Sequence, residues 1–297
     1  MQASSICQIR IILSIALTLI SATTYCQAFF DQQYSSLNKS FPEFSGWHGG
    51  LQVNSIVGQQ WLGIDEAPQG AYISADGYVH KIRSGIGFSA YHQRFGSWRK
   101  EQIDISISPK LQLSKKITLM PSLTLSRGNY GFGNYSIWGP TSGGFLSQLT
   151  MSTGIGFVSN KFFGAVHARL PVGYDISNYL FFPNARYSAL LGRSFQISKF
   201  ILLPTVSLFD YEGYREFFGS FNAQYRWAYL GASFGTDSEL SVAIGYEYMK
   251  RLRLSYSYSR YANRIAQGSS GSHELALRVW LFKDKAKRQF ISNLPII

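Results

Sequence analysis

The sequence predicts an all-β fold, a transmembrane antiparallel β-barrel of about fourteen strands preceded by a cleaved signal peptide. Three observations point there. The first is alternation. In the stretch EQIDISISPKLQLS, Ile103, Ile105, Ile107, Leu111 and Leu113 share one parity; Gln102, Asp104, Ser106, Ser108, Lys110, Gln112 and Ser114 share the other. Side chains alternate faces along a strand, so this segment has one oily face and one wet face. It is also long. Strands in soluble domains run about 5–6 residues, whereas a strand crossing a bilayer needs about 9–11. The second is composition. Charged residues are 15% of the chain, against roughly 25% in soluble proteins, and aromatics reach 16%. Rings with a polar tip favour the membrane–water interface. The third is punctuation. His80-Lys81-Ile82, Ser114-Lys115-Lys116, Ser159-Asn160-Lys161, Ile197-Ser198-Lys199 and Met249-Lys250-Arg251 read as tight turns. Between them lie connections that are mostly longer and rich in Gly, Tyr, Asn and Pro. Outer-membrane barrels have short periplasmic turns and longer surface loops.

Taken in order, residues 1–26 read as a signal peptide. Arg10 supplies the positive start, Ile11 to Ile20 the short apolar run, and Ser21 to Thr24 the small residues before the cut. Cys7 and Cys26 both lie in this leader, which leaves the mature chain no disulfide and no thiolate metal site. Residues 27–46 form an N-terminal lead-in, aperiodic and rich in Ser, Asn, Pro and Gly, expected at the barrel mouth. Residues 47–282 form the barrel. Alternation places strands near 47–58, 69–80, 82–92, 100–114, 116–127, 147–158, 162–172, 185–195, 200–209, 214–224, 226–235, 239–248, 251–261 and 272–282. The last sets Leu275, Leu277, Val279 and Leu281 opposite Glu274, Ala276 and Arg278. It must pair with the first strand, because an open edge cannot sit in lipid. Phe282 has the wrong parity for a lipid-facing terminal aromatic, which implies a bulge there. Residues 283–297 form a basic periplasmic tail.

The same patterns exclude several functions. Net charge is +12 but dispersed, which fits anionic lipid headgroups or an acidic partner and not nucleic acid. His48, His80, His92, His167 and His273 show no ligand spacing, so no metal site is predicted. Ser272-His273-Glu274 suggests a hydrolase set, but on a strand His273 faces away from the other two. Gly128 to Gly133 lacks the Lys-Ser/Thr ending of a nucleotide loop. No catalytic residue and no cofactor is predicted. Asp76, Asp104, Lys110, His167, Arg169, Arg226, Glu247, Arg253, Glu274 and Arg278 fall on inward parity. An ion-selective pore favours rings of one sign. Mixed signs favour paired charges in a filled lumen.

Several stretches carry a family resemblance. They are Gln32-Gln33-Tyr34 with Leu37-Asn38, Gln59-Gln60-Trp61-Leu62-Gly63-Ile64, Ala67-Pro68-Gln69, Tyr72-Ile73-Ser74-Ala75-Asp76 and Ser84-Gly85-Ile86-Gly87-Phe88-Ser89. Leu113-Ser114-Lys115-Lys116 and Gly271-Ser272-His273-Glu274-Leu275-Ala276-Leu277 extend it toward the C-terminus. In this order they resemble the PorP/SprF family of type IX secretion system membrane proteins of the Bacteroidota. The resemblance implies a non-enzymatic outer-membrane barrel working with the type IX secretion and gliding motility machinery. The partners it implies are secretion components, the C-terminal domain of a secreted adhesin, and a periplasmic peptidoglycan-associated protein. The alternatives are a porin or hydrophobic-solute transporter, and a lipid-modifying barrel enzyme.

On this reading the partner-binding residues divide by side. Surface loops 128–147, 172–184 and 260–272 would hold cargo, with Tyr130, Phe132, Tyr135 and Trp138 as aromatic anchors, since large rings dominate interface energetics. Lys81, Lys115, Lys116, Lys161, Lys199 and Lys250 would face periplasmic partners from the tight turns.

Overall fold

A computed structural model describes residues 37–132, 135–136, 139–140, 145–174, 185–211, 214–236, 239–249, 251–261 and 268–282. The signal peptide and the basic tail expected from the sequence lie outside the described residues. A single helical turn, α1 (Leu37–Ser40), and a 3-10 turn (Pro42–Phe44) precede the strands. The barrel strands are β1 (Leu51–Gln59), β2 (Gln69–Val79), β3 (Ser84–Phe95), β4 (Trp98–Pro109), β5 (Ile117–Phe132), β6 (Phe145–Ser159) and β7 (Phe162–Tyr174). They continue as β8 (Arg186–Arg193), β9 (Phe200–Tyr211), β10 (Tyr214–Tyr225), β11 (Ala228–Gly235), β12 (Glu239–Tyr248), β13 (Leu252–Tyr261) and β14 (Ser272–Phe282). Each pairs antiparallel with the next. β14 pairs back onto β1, from Leu51 opposite Phe282 to Gln59 opposite His273. The cylinder is closed, so every ladder finds a partner and no edge meets lipid.

All fourteen stretches picked out by alternation are strands. The first begins at Leu51 instead of residue 47, because Trp47 to Gly50 belong to the turns inside the barrel. The stretch at 100–114 is interrupted: β4 ends at Pro109, which has no amide hydrogen to give, and resumes as Leu111–Ser114. The Lys110 amide donates sideways to the Arg83 carbonyl at 3.0 Å. β8 likewise resumes as Phe195–Ile197 beyond Ser194, whose amide donates to the Lys161 carbonyl at 2.7 Å. At the seam the ladder skips a residue, since Leu51 faces Phe282 while Gln52 faces Trp280. That is the irregularity the parity of Phe282 implied.

The two faces have opposite chemistry. Ile105, Leu230 and Ile244 stand 58%, 58% and 60% exposed on the outside, whereas Ser106, Ser122, Ser152 and Ser255 are buried within. Apolar surface left in water costs about 25 cal/mol per Å². A belt of aliphatic side chains facing outward all round therefore calls for lipid tails as its solvent.

The connections differ in detail from the alternation of short and long. One end of the barrel carries only tight turns, between β2 and β3, β4 and β5, β6 and β7, β8 and β9, β10 and β11, and β12 and β13. The other end, the loop end, mixes long connections at 60–68, 133–144, 175–185 and 262–271 with short ones after β3, β9 and β11. β5 runs to Phe132 and β6 starts at Phe145, so the surface loop expected at 128–147 is shortened from both sides.

Candidate functional site

Residues 37–50 fold into the lumen at the turn end. Phe41, Phe44 and Trp47 recur every third residue, a spacing that puts them on one side of consecutive tight turns. All three are almost wholly buried. Phe44 and Trp47 have ring centroids 5.0 Å apart, Phe163 of β7 lies 5.9 Å from Trp47, and Phe209 of β9 lies 6.0 Å from Phe41. Met120, Val158, Leu190, Leu203 and Phe218, on inward positions of β5, β6, β8, β9 and β10, complete this apolar cluster. The lumen is therefore lined with oil on one side, where the plug presents its rings.

The plug's polar groups meet the wall on β2, β4, β5 and β7. Glu43 is fully buried, and its Oε1 accepts from Ser122 Oγ at 2.7 Å and pairs with His167 Nδ1 at 2.9 Å. Its backbone carbonyl accepts from Ser108 Oγ at 2.7 Å and Lys110 Nζ at 2.9 Å. Asp76 accepts from Asn38 Nδ2 at 2.8 Å, the Gly46 amide at 2.7 Å and Gln52 Nε2 at 2.8 Å. Ser45 Oγ meets Ser106 Oγ at 3.1 Å. The wall is cut away to admit this backbone. A Cβ on Gly85 would run into the Ser45 carbonyl, and one on Gly154 into the Glu43 carboxylate. Gly46 has φ +66°, and a side chain there would lie 2.6 Å from the Gly77 carbonyl. Only glycine suits both demands.

The inward charges are mostly matched. Arg253 donates to Glu247 at 2.7 Å, Arg169 lies 3.8 Å from Asp104, and Arg278 Nε donates to Asn54 at 2.8 Å. Asp76, Lys110 and His167 bond the plug, as above. Arg226 departs from its expected inward position. It sits in the β10–β11 turn at φ +53° and is exposed. Ser272 and Glu274 are buried inside while His273 faces out to Tyr256, so the three do not converge. Three lumenal carboxylates went unnamed from sequence. Glu216 and Glu239 obey inward parity and were open to the same rule; Glu43 lies outside any strand, and its signal was the three-residue aromatic spacing around it.

Lys81, Lys115, Lys116, Lys161 and Lys199 all stand exposed in tight turns at one end. Arg83, Arg226 and Arg251 join them there, and no Asp or Glu occurs in these turns among the described residues. Lys250 lies outside the described residues. At the loop end, Tyr130 is not on a loop but in β5, half-buried on the lumenal side with the Lys100 ammonium 5.3 Å from its ring. The Lys100 ammonium also lies over Tyr91 at 5.4 Å. Phe132 ends β5, and Tyr135 belongs to a two-residue ladder, Tyr135–Ser136 with Gly139–Pro140. Trp138 lies outside the described residues.

Comparison with known proteins agrees with the fold and adds a family. The family described as Type IX secretion system membrane protein PorP/SprF matches residues 24–279. In structure, the chain is similar to the CymD monoaromatic hydrocarbon channel, with TM-score 0.55 and 12% identity over 86% of this chain and 95% of that one. It also aligns with the Pseudomonas putida toluene transporter TodX, with TM-score 0.47 and 11% identity over 88% of this chain and 95% of that one. No curated protein matches in sequence.

Proposed function

The chain belongs to the PorP/SprF family of type IX secretion system membrane proteins, and on that premise we propose that it is a non-enzymatic outer-membrane barrel that helps export or anchor a secreted surface protein. The observation that carries this reading is the plug. A lumen packed with Phe41, Phe44, Trp47 and Glu43 serves poorly as a conduit, so the barrel works through its two rims. Short turns of such barrels face the periplasm. The exposed lysines there present positive charge to an acidic face of a periplasmic secretion component or a peptidoglycan-associated protein. The loop end, with Phe132 and Tyr135 at the edge of the long 133–144 connection, holds the C-terminal domain of a secreted adhesin.

A strain lacking this chain tests the reading through its surface proteome. Secreted adhesins should fall at the cell surface, and restoring the gene should return them. Restoring it with Lys81, Lys115, Lys116, Lys161 and Lys199 all changed to Glu should leave the barrel assembled but the adhesins missing. Normal surface adhesins in the deletion strain would sink the proposal, and a lost solute uptake instead would favour a transporter.

A further inference from the structure

The lumen has a floor at the turn end. Phe44 and Trp47 of the plug meet Phe163 there, and His48 meets the Trp280 ring at 6.5 Å. From Trp280 the floor continues to Arg253, whose guanidinium lies 5.8 Å from that ring and 5.3 Å from the Tyr229 ring. Arg253 also donates to Glu247 at 2.7 Å. Tyr229, Glu247, Arg253 and Trp280 are all buried, close to the turn-end limits of β11, β12, β13 and β14. Rings and paired charge thus cross the cylinder from β7 to β14.

Lumenal side chains near the loop end are less covered. Tyr91, Gln93, Lys100, Tyr130, Arg169 and Arg186 are half-buried on β3, β4, β5, β7 and β8, and they line a cup above the plug. The lining is cationic and aromatic. The Lys100 ammonium sits 5.4 Å from the Tyr91 ring and 5.3 Å from the Tyr130 ring. Arg169 and Arg186 are near enough to repel it. Ring faces attract a cation without cancelling its charge. Asp104 acts on Lys100 as well, but it is engaged by Ser89 at 2.9 Å and Gln102 at 2.7 Å and lies 3.8 Å from Arg169.

The start of the plug stands between floor and cup. Gly46 lies against Gly77 and Gly85 at the turn end, and Asn38 donates to Asp76 at 2.8 Å. Lys39 carries its ammonium to 5.1 Å from the Tyr91 ring and 5.8 Å from the Tyr72 ring, in the loop-end halves of β3 and β2. Residues 27–36, the expected start of the mature chain, precede α1. The closed ladder gives them no way out sideways, and the floor lies on the turn-end side. The cup lies on the other. Residues 27–36 reach roughly 33 Å when extended, whereas β3 needs only roughly 13 Å to rise from Tyr91 to Phe95 at the loop end.

We infer that residues 27–36 run outward through this cup, with Asp31 among Lys100, Arg169 and Arg186, and that the mature amino terminus stands at the cell surface. Asp31 is the one acid of the segment, and Phe29, Phe30 and Tyr34 supply rings for a lining that already holds Tyr91 and Tyr130. The terminus then lies on the side of the long connections, opposite the lysine turns. This holds whatever cargo the barrel serves, and whether or not it serves one.

An epitope inserted after Ala28 tests the inference on intact cells carrying the full chain. Antibody should bind it as fully before permeabilisation of the outer membrane as after. The same epitope between Lys115 and Lys116 should be bound only after permeabilisation. A second measurement reads the cup. Cys7 and Cys26 both precede residue 27, so Gln93→Cys gives the mature chain a single thiol on the lumenal wall. Adding Asp31→Lys, which sets like charge against Lys100, should speed labelling of that thiol by a membrane-impermeant maleimide several-fold. Ser97→Cys, in the exposed turn between β3 and β4, should label at one rate with either residue at 31. Assembly of each variant is read from heat-modifiable gel migration, and should the insertion at Ala28 block assembly, the thiol measurement decides alone. An Ala28 epitope reached only after permeabilisation, a turn-end epitope reached without it, or labelling at Gln93→Cys unchanged by Asp31→Lys would overturn the inference.

Discussion

Glu43 holds four polar contacts between the plug and the wall. One carboxylate oxygen serves both Ser122 and His167, and its carbonyl serves Ser108 and Lys110. Glu43→Ala would strand Ser122 and His167 without this acceptor in a buried setting. Leaving a buried polar group unpaired costs about 1–3 kcal/mol, so the midpoint of urea unfolding in lipid vesicles should fall accordingly. An unchanged midpoint would mean that water replaces the carboxylate without loss. Parity alone made Asp76, Asp104, His167, Glu247 and Arg253 legible as lumenal, because each sits on a strand whose opposite face is aliphatic. Arg226 escapes that rule because it stands in a two-residue turn, with φ +53°, that resets the alternation. Glu43 escaped it because turns have no alternating face to count.

At the scale of the element, each strand is specified by two solvents. Ile103, Ile105 and Ile107 face lipid while Gln102, Ser106 and Ser108 face the lumen, and a one-residue slip would exchange them. The cost of a charge on the lipid side depends on depth. Ile105→Arg, mid-strand on β4, should destabilise the barrel by about 2–4 kcal/mol, whereas Leu113→Arg near the turn end should cost roughly 0–1 kcal/mol. Equal costs at the two positions, measured by the same urea titration, would contradict the placement of the belt. The contrast of faces also explains which boundaries the sequence left open. Past residue 92 on β3 and past 127 on β5, both faces turn polar or aromatic, as in Gln93-Arg94 and Gly128-Asn129-Tyr130. With no difference between faces, the ladder continues by backbone bonds alone, and alternation cannot follow it. For that reason alternation places a loop at 128–147 with Tyr130 on it, where the strand in fact runs on to Phe132.

For the whole molecule, a closed ladder and a folded-back N-terminal segment act together. The cylinder supplies an apolar lumenal cluster from β5 to β10 and lumenal polar partners on β2, β4, β5 and β7, and residues 37–50 present rings to the first and Glu43, Ser45 and the Gly46 amide to the second. Gly77 and Gly85 leave room for the segment's backbone, and Gly87, Gly154 and Gly156 for its Ser45 and Glu43 side chains, so wall and plug fit as one design. The closed barrel was readable in advance from hairpin periodicity. The plug was not, because its evidence is complementarity between distant positions, such as Gly85 with Ser45, which a single sequence does not display. A side chain forced into that seat, as in Gly85→Val, should drive the segment out of the barrel while leaving the strands paired.

Conductance across a planar bilayer probes this arrangement most directly. The full chain should insert without opening a steady pore, and a variant lacking residues 37–50 should pass ions through the vacated lumen. A steady open pore from the full chain, with the same conductance as the deletion, would contradict a barrel that acts through its rims.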